Sequence, residues 1–541
     1  MHSLSSSNNQ SWLSWFSRGI LIVGFLVLFA RASELQIIKG NYYRVLAEEN
    51  RIRHIPIVAP RGKILARGGE VLVGNIESKK RIKFDPKVGY TKTDDVEGAP
   101  SEEIITDYKR SYLLGSKFSH VSGYVSEVLP EFVNKIDPAC PLKGPRKIGK
   151  LVGVTGIEKQ YDCALSGTDG EELIEVNTKG QKIRTLGTRE SIPGTDLRTT
   201  IDFPLQEAIP GFMDQPKGAV VVTDTKGEVL ALYSAPSFDP VNLAPSLTDP
   251  DQPFFDRAIS GTFHPGSVFK PVVAVGALEE GKIDKNFRFT DTGVLNVKTP
   301  YGDFSYSNWY FTELGRTEGE VDLKKALARS TDTFFYKIGE LLGPDKIANW
   351  AGKFGMNKKT GIDLPGESAG LVPTPGWKVK TQGTKWFLGN TYHFAIGQGD
   401  LSVTPIEMNQ AISTIASGGE LCRPHIAKSS ESCNDLGLNA DDLALVREGM
   451  KMVCETGGTG YTFFDFASKN GGITLACKTG TAEVGVDGVY HAWFVFFGPV
   501  DSPEIVTTVL VERGGEGSKV AGPIARKIAD FYFQKNLIKN D

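Results

Sequence analysis

The chain has 541 residues, of which 40% are hydrophobic and 10% aromatic, and its formal net charge is −3. That length can hold several domains around a sizeable core, and the apolar fraction is that of ordinary globular proteins. With 61 basic against 64 acidic residues and no long Lys/Arg run, the chain lacks the positive footprint that nucleic-acid binding requires, while small neutral or anionic ligands remain open.

The first predicted element is the uncharged apolar run Gly19 to Ala30, 12 residues between Arg18 and Arg31. Alone it is too short to cross a bilayer, and with Ala30-Arg31-Ala32 as a small-x-small cleavage site it reads as the core of a signal peptide. Counted from Trp12 to Ala32 it has 21 residues, with Trp12 and Trp15 at an interface position and Arg18 able to snorkel, which reads as an uncleaved anchor. Either reading exports the remainder. Arg18 on one side and Arg31, Lys39 and Arg44 on the other do not fix the orientation by charge bias.

From residue 34 to about 195, short extended runs alternate with polar Gly/Pro loops, among them VAPRGKILARGGEVLV (Val58 to Val73) and GVTGIEKQYDCALSGTDG (Gly153 to Gly170). No internal repeat is present. The turn-rich Ser191-Ile192-Pro193-Gly194 precedes two strands over Gly218 to Pro236, joined at Lys226-Gly227. A helix follows Pro265 and Gly266: Phe269, Val272, Val273, Val275, Ala277 and Leu278 have helical spacing, Pro271 suits a first turn and Gly281 a stop. Val321 to Gly343 has helical runs on both sides of Ser330, and Thr404 to Ala416 is a further helix. Three strand-like segments close the chain, GITLACKTGTAEV, YHAWFVFFGPV and EIVTTVLVERG. The fold class is therefore α+β, a sheet flanked by helices. The six cysteines include no Cys-x-x-Cys pair, and no His-Glu-x-x-His is present, so no metal site is expected. Cys422 and Cys433, in a polar loop-like stretch, are the expected disulfide, and Cys477, in a strand pattern, a packed thiol.

Ser267 and Lys270 lie three apart on one helical face. The bland reading is a capping serine and a snorkelling lysine; the sharp one is a nucleophile whose proton a lysine amine removes, with backbone N–H groups facing the developing charge. At Ser330-Thr331-Asp332 a hydroxyl and a carboxylate lie two apart at a helix break, where a loop can aim both into one cleft, though a helix cap is the commoner use of such a triplet. Lys478-Thr479-Gly480-Thr481 ends an apolar strand. There the glycine would let a ligand lie close, the lysine supplies positive charge, and the threonine hydroxyls can hold a carboxylate. Lys-Thr-Gly also occurs at Lys359-Thr360-Gly361, within FGMNKKTGIDLPGE, where a solvated turn is expected.

Ser-x-x-Lys, Ser-x-Asp and Lys-Thr-Gly in this order resemble the signature of penicillin-interacting serine transferases. Their separations of 63 and 148 residues resemble a large transpeptidase rather than a compact β-lactamase. YYRVLAEENRIRHIPIVAPRGKIL, FSHVSGYVSE, GVTGIEKQYD, GTDLRTTIDFPLQ, ALYSAPSFDPVNL, FHPGSVFKP, FAIGQGDLSVTPIEM and HAWFVFFGP resemble class B penicillin-binding proteins of the penicillin-binding protein 2, cell-elongation, branch. The Asp332 variant favours that branch over the division-type enzymes.

The resemblance implies a penicillin-binding, serine β-lactamase-like transpeptidase domain over 196–541, with an antiparallel sheet flanked by helices. It would stand on an elongated mixed pedestal over 34–195, with a cytoplasmic tail and membrane helix, or signal peptide, over 1–33. The activity implied is cross-linking of peptidoglycan stem peptides through a serine acyl-enzyme formed on D-Ala-D-Ala, with β-lactams as inhibitors and no cofactor. The location implied is the cytoplasmic membrane, single-pass, with the catalytic domain on the periplasmic side. Implied partners are a SEDS-family glycan polymerase and other cell-elongation proteins. Ser267 would be the nucleophile, Lys270 the base, Ser330 the relay and Asp332 the group that positions it. Desolvation and the charge of Lys478 would both lower the pKa of Lys270; Thr479, Gly480 and Thr481 would bind substrate; the N–H groups of Ser267 and Thr481 would form the oxyanion hole. The rivals are a division-type transpeptidase, a β-lactamase, which must add fast deacylation, and a silent β-lactam sensor.

The chain departs from the pattern in three places. Val73 to His120 is short, so the upper pedestal looks abbreviated, and Ala66 replaces the aspartate usual in LARGG. Some elongation-type members hold zinc near the middle motif; here Asp291 remains, but Asn308 and Thr331 stand where ligands belong, and no metal is expected.

Overall fold

The computed structural model describes residues 11–85, 89–100, 103–147, 149–177, 182–214, 217–300, 302–428, 431–486 and 488–540. The expected cytoplasmic tail lies largely outside them. The chain forms two compact units that interleave in sequence. One takes in the N-terminal segment to Pro60, Glu77–Tyr108 and Gly167–Pro193; the other takes in Arg61–Ile76, Lys109–Ser166 and Gly194–Asp541.

In the first unit the helix Ser11–Ser33 extends the apolar run in both directions. Trp12–Ile38, 27 residues that include an 18-residue window of mean hydropathy 1.9, is long and apolar enough to cross a membrane. The helix's apolar side chains, Trp12 and Trp15 included, are exposed. Ile52–Ile57, Gly170–Val176 and Lys182–Arg189 form a three-stranded antiparallel sheet with Gly170–Val176 in the middle. Ile55, Ile82, Ile105, Ile174 and Val176 make its small core.

The second unit is built on a five-stranded antiparallel sheet. Its order is Val229–Ala235, Gly218–Thr223, Ile505–Val511, Tyr490–Gly498, Ala476–Glu483. Tyr490–Gly498 is apolar at consecutive positions because both faces of the sheet are covered. Trp493, Val495 and Phe497 face a core shared with the helices Lys270–Glu279, Leu323–Arg329, Pro405–Ser417 and Ala440–Cys454. Ala492, Phe494 and Phe496 face another, shared with Phe203–Met213 and Ala521–Asn540. Ala476–Glu483 has one strand partner among the described residues and so forms an edge of the sheet.

Two segments quoted from the sequence meet here. The fully buried Glu158 accepts from Arg61 Nε and Arg110 Nε, each at 2.6 Å, and Arg61 also pairs with Asp162 at 2.6 Å. A carboxylate buried without such partners would cost several kcal/mol, of order ~3–5. The cysteines form three disulfides, Cys140–Cys163, Cys422–Cys433 and Cys454–Cys477. The expected Cys422–Cys433 pair is present. Cys477 is not a packed thiol: its strand runs beside the end of the Ala440–Cys454 helix, and the two sulfurs are joined.

Candidate active site

Ser267 lies in a short 3-10 turn, Gly266–Phe269, that runs directly into the helix Lys270–Glu279, with Pro271 in its first turn. Two glycines bring this turn against the edge strand. Gly266 has φ +57°, and a Cβ there would stand 3.0 Å from the Thr481 carbonyl oxygen; a Cβ on Gly480 would stand 3.0 Å from both Pro265 O and Val268 Cγ1. The space at Gly480 thus admits the turn carrying Ser267, rather than a ligand. The turn is also tied from its other side, since Gly266 N–H donates to Gly397 O at 2.9 Å. Gln398 Nε2 in the same GQGD segment reaches Thr481 O at 3.4 Å.

The middle motif joins the helices Leu323–Arg329 and Asp332–Leu342. Ser330 ends the first in the left-handed conformation, φ 55° and ψ 38°, and Thr331 precedes the second without a side-chain cap. Neither Ser330 nor Asp332 is a helix N-cap; Ser330 is the C-cap of the first helix. A left-handed non-glycine residue costs roughly 1–2 kcal/mol, so the loop is held by other contacts. Lys270 Nζ supplies one, donating to Ser330 O at 2.8 Å.

The three motifs converge on one hydroxyl. Ser330 Oγ lies 3.2 Å from Lys270 Nζ and 2.8 Å from Lys478 Nζ. Lys270 Nζ also donates to Asp332 Oδ1 at 2.7 Å and lies 5.2 Å from the centre of the Phe335 ring. Both lysines are 0% exposed, so Lys270 does not snorkel to water, whereas Ser267 is partly exposed. Burial lowers the pKa of Lys270 and Asp332 opposes it. Lys478 goes well below the ordinary lysine range, first through burial and then through the charge of Lys270. The expected lysine–lysine effect therefore falls on Lys478; the depression of Lys270 comes from burial.

Three contributors were not read from the sequence. Thr459 Oγ1, in a Gly-Gly-Thr-Gly loop, is 2.8 Å from Thr479 Oγ1, and its N–H donates to Ala328 O. Gly517 N–H donates to Thr481 Oγ1 at 3.2 Å. Trp309 N–H donates to Asp332 Oδ2 at 3.0 Å. A threonine among glycines is a weak signal, since turns use the same residues.

Asp291, Asn308 and Thr331 do not make a zinc set. Both oxygens of the buried Asp291 carboxylate are taken: Oδ1 accepts from Gly293 N at 3.0 Å and Thr333 Oγ1 at 2.7 Å, Oδ2 from Asn308 Nδ2 at 3.1 Å and Glu318 N at 2.8 Å. Asn308 Oδ1 accepts from Asp332 N at 3.1 Å. Thr331 Oγ1 is buried without a partner, but a lone neutral hydroxyl is a poor zinc ligand. All six cysteines are in disulfides. Among the described residues the one group with metal-like spacing is Glu420, Cys422 and Cys433, whose cysteines are bonded to each other.

The second Lys-Thr-Gly lies elsewhere. Thr360 N and Oγ1 donate to Glu367 Oε1 at 2.7 and 2.6 Å, and Gly361 N donates to Glu367 Oε2 at 3.1 Å. Lys359 is exposed, but the turn is clamped on a buried carboxylate rather than solvated throughout.

Residues 218–530 match the model of the penicillin binding protein transpeptidase domain, and residues 90–199 that of the penicillin-binding protein dimerisation domain. Peptidoglycan D,D-transpeptidase MrdA of Haemophilus influenzae is 30% identical, over 96% of this chain and 90% of its own. Among solved structures, penicillin-binding protein 2 of Helicobacter pylori in complex with MreC superimposes with a TM-score of 0.73 at 27% identity, covering 89% of this chain and 99% of that one. A chain of a peptidoglycan synthase complex that coordinates polymerization and crosslinking gives 0.74 at 26% identity, covering 97% and 99%.

Proposed function

The chain belongs to the penicillin-binding protein transpeptidases, and from that membership we infer that it is an elongation-type peptidoglycan D,D-transpeptidase that joins stem peptides through a serine acyl-enzyme. The observation that carries the reading is the meeting of Lys270 and Lys478 on Ser330 Oγ, beside the turn that presents Ser267. In the reaction proposed here, the donor peptide lies along the edge strand Ala476–Glu483 with its terminal carboxylate at Lys478, Thr479 and Thr481. Ser267 attacks the penultimate D-Ala carbonyl, and the N–H groups of Ser267 and Thr481 face the oxyanion.

Two buried amines with one touching carboxylate cannot both stay charged. At rest the proton belongs on Lys270, which has Asp332 as counter-ion, and Lys478 is neutral. A bound carboxylate favours the charged form of Lys478, and the proton passes to it from Lys270 through Ser330 Oγ. Lys270, now neutral, takes the Ser267 proton. Ser330 protonates the departing D-Ala amine and is reprotonated by Lys270. The acceptor amine then attacks the ester by the same steps reversed.

The apolar helix at Trp12–Ile38 supports a single-pass anchor. We place the anchor in the cytoplasmic membrane with the catalytic unit outside. The Helicobacter pylori relative's complex with MreC supports partners in the elongation machinery, and the synthase complex supports a glycan polymerase, of the SEDS family, among them.

The test is labelling of the full chain in detergent with a fluorescent penicillin, followed by mass spectrometry of the labelled peptide. Expected is one adduct, on Ser267, lost in Ser267→Ala with the melting temperature retained. Full labelling of that variant, or an adduct elsewhere, would sink the assignment.

A further inference from the structure

The transpeptidation site is braced by a hydrogen-bonded strut that ends on Asp332. Asp291 closes the strand Phe289–Asp291 and is buried, as is Asn308, which precedes the helix Trp309–Leu314. Asn308 has donor and acceptor on one planar group. Its Nδ2 faces a carboxylate, which can only accept, and its Oδ1 faces the Asp332 N–H, which can only donate. Its orientation is therefore fixed by chemistry from both ends. Beyond it, Asp332 accepts from Trp309 N–H on one oxygen and from Lys270 on the other. The path Asp291, Asn308, Asp332, Lys270 thus runs from a saturated buried carboxylate to the proposed base.

We propose that Asn308 is a positioning residue of the transpeptidase reaction, linking Asp291 to the backbone of Asp332 so that the middle motif is set by hydrogen bonds, and that no metal takes part in holding it. The proposal rests on the transpeptidase reading. Its physical grounds are three. Four donors fill the acceptor sites of Asp291, leaving none for a cation. The neighbouring positions offer an amide and a hydroxyl where a zinc ion needs thiolate, imidazole or carboxylate. Ser330 is held left-handed two residues before Asp332, so an anchor on the Asp332 N–H restrains the loop close to where its own preference is weakest.

The role is distinct from general support. Thr333, the residue after Asp332, also donates its hydroxyl to Asp291, so losing it removes a buried hydrogen bond but leaves the bond from Asp332 N–H to Asn308 Oδ1 in place. Substrate-carboxylate binding is assigned to the Lys478 strand, whereas Asn308 bonds to Asp291 and to the Asp332 backbone. Loss of Asn308 should therefore lower the acylation rate constant and not the affinity of the preceding complex.

The experiment uses the full chain in detergent and a chromogenic β-lactam, with the acylation rate constant and the dissociation constant of the pre-acylation complex measured separately. Unmutated protein should acylate at the same rate, within about twofold, before and after dialysis against EDTA, and contain zinc well below about 0.1 per chain by mass spectrometry. Asn308→Ala should lower the rate constant by about tenfold or more with the dissociation constant within about threefold, while Thr333→Val stays within about threefold in both. Melting temperatures of the two variants are recorded so that they are compared at equal loss of stability. If Asn308→Ala does not fold, Asn308→Asp, which keeps the acceptor for Asp332 N–H and sets an oxygen against Asp291, should show the same split. Stoichiometric zinc whose removal abolishes acylation would overturn the proposal, as would an Asn308→Ala rate constant equal to that of Thr333→Val. Absence of labelling in the unmutated protein would overturn the transpeptidase reading itself.

Discussion

Lys478 Nζ lies 2.8 Å from Ser330 Oγ across 148 residues of sequence, and that hydroxyl also lies 3.2 Å from Lys270 Nζ. One hydroxyl between two buried amines is a proton bridge whose direction depends on which amine has a counter-ion. Asp332 gives Lys270 that partner at 2.7 Å. Lys478 has no such ion pair among the described residues, and in the reaction proposed above the substrate carboxylate supplies it.

The pH dependence of acylation tests this arrangement. Burial lowers the pKa of Lys270 and Asp332 raises it; the proposed transfer to Lys478 needs the proton that Lys270 carries at rest, so acylation by the free enzyme should fall as pH rises and Lys270 loses it. Asp332→Asn removes the opposing carboxylate, burial acts with less resistance, and the falling limb should move to lower pH. Its plateau should fall about tenfold or more, since Lys270 loses a charged acceptor that orients it. Rate profiles of both proteins with a chromogenic β-lactam check the sign. A limb displaced to higher pH would contradict the assignment of Asp332 as the group that keeps Lys270 charged.

Thr459 should act on binding. Its hydroxyl is 2.8 Å from that of Thr479, and a net hydrogen bond is worth about 1 kcal/mol, close to fivefold in an equilibrium. In Thr459→Val the dissociation constant of the pre-acylation complex should rise by about fivefold with the acylation rate constant nearly unchanged. A large fall in the rate constant at constant affinity would place Thr459 with the proton path instead.

What could be read from the sequence was what is local in it. The turn and helix at Ser267 announce themselves through Pro265, Gly266 and Pro271, and the terminal strands through apolar runs, so the helix-flanked sheet and the three motifs were legible in one dimension. Ser330 was not legible as a left-handed residue, because serine carries no signal for positive φ as glycine does. Arg61, Arg110 and Glu158 were separate charges until the fold closed over them. Gly480 was read as room for a ligand, and only the packing of Pro265 and Val268 reveals that its missing side chain makes room for the nucleophile's turn. Cys477 misled because an apolar strand surrounds it, which is as good a setting for a packed thiol as for a disulfide when the partner ends a distant helix.

The Cys454–Cys477 bond ties the end of the Ala440–Cys454 helix to the residue before Lys478. Denatured, unreduced protein should therefore show no reactive thiol, all six cysteines being paired. Replacing both cysteines by alanine should cost about 2–4 kcal/mol of stability, read as a lower denaturation midpoint, because the cross-link no longer restricts the unfolded chain. Two free thiols in the untreated protein, traced to Cys454 and Cys477 by alkylation and mass spectrometry, would show that the bond does not form.

The two Lys-Thr-Gly triplets give the sharpest contrast between motif and environment. In Lys478-Thr479-Gly480 the amine is fully buried against Ser330 Oγ, the threonine hydroxyl meets Thr459, and the strand is the last of its sheet. In Lys359-Thr360-Gly361 the amine is exposed and the hydroxyl is spent on Glu367. An exposed lysine gains little from a carboxylate because water screens the pair, to about 1 kcal/mol or less; a desolvated one gains far more. Lys478→Ala should therefore lower acylation by about a hundredfold or more, whereas Lys359→Ala should stay within about threefold of the unmutated rate. Thr360→Ala separates structure from catalysis at the second triplet: it removes one hydrogen bond to the buried Glu367 carboxylate, so stability should fall by about 1–3 kcal/mol while the acylation rate of folded protein holds. The measurements are acylation kinetics and thermal denaturation on all three variants. Acylation that survives Lys478→Ala and collapses in Lys359→Ala would mean that the substrate lies along the wrong strand in the site described here.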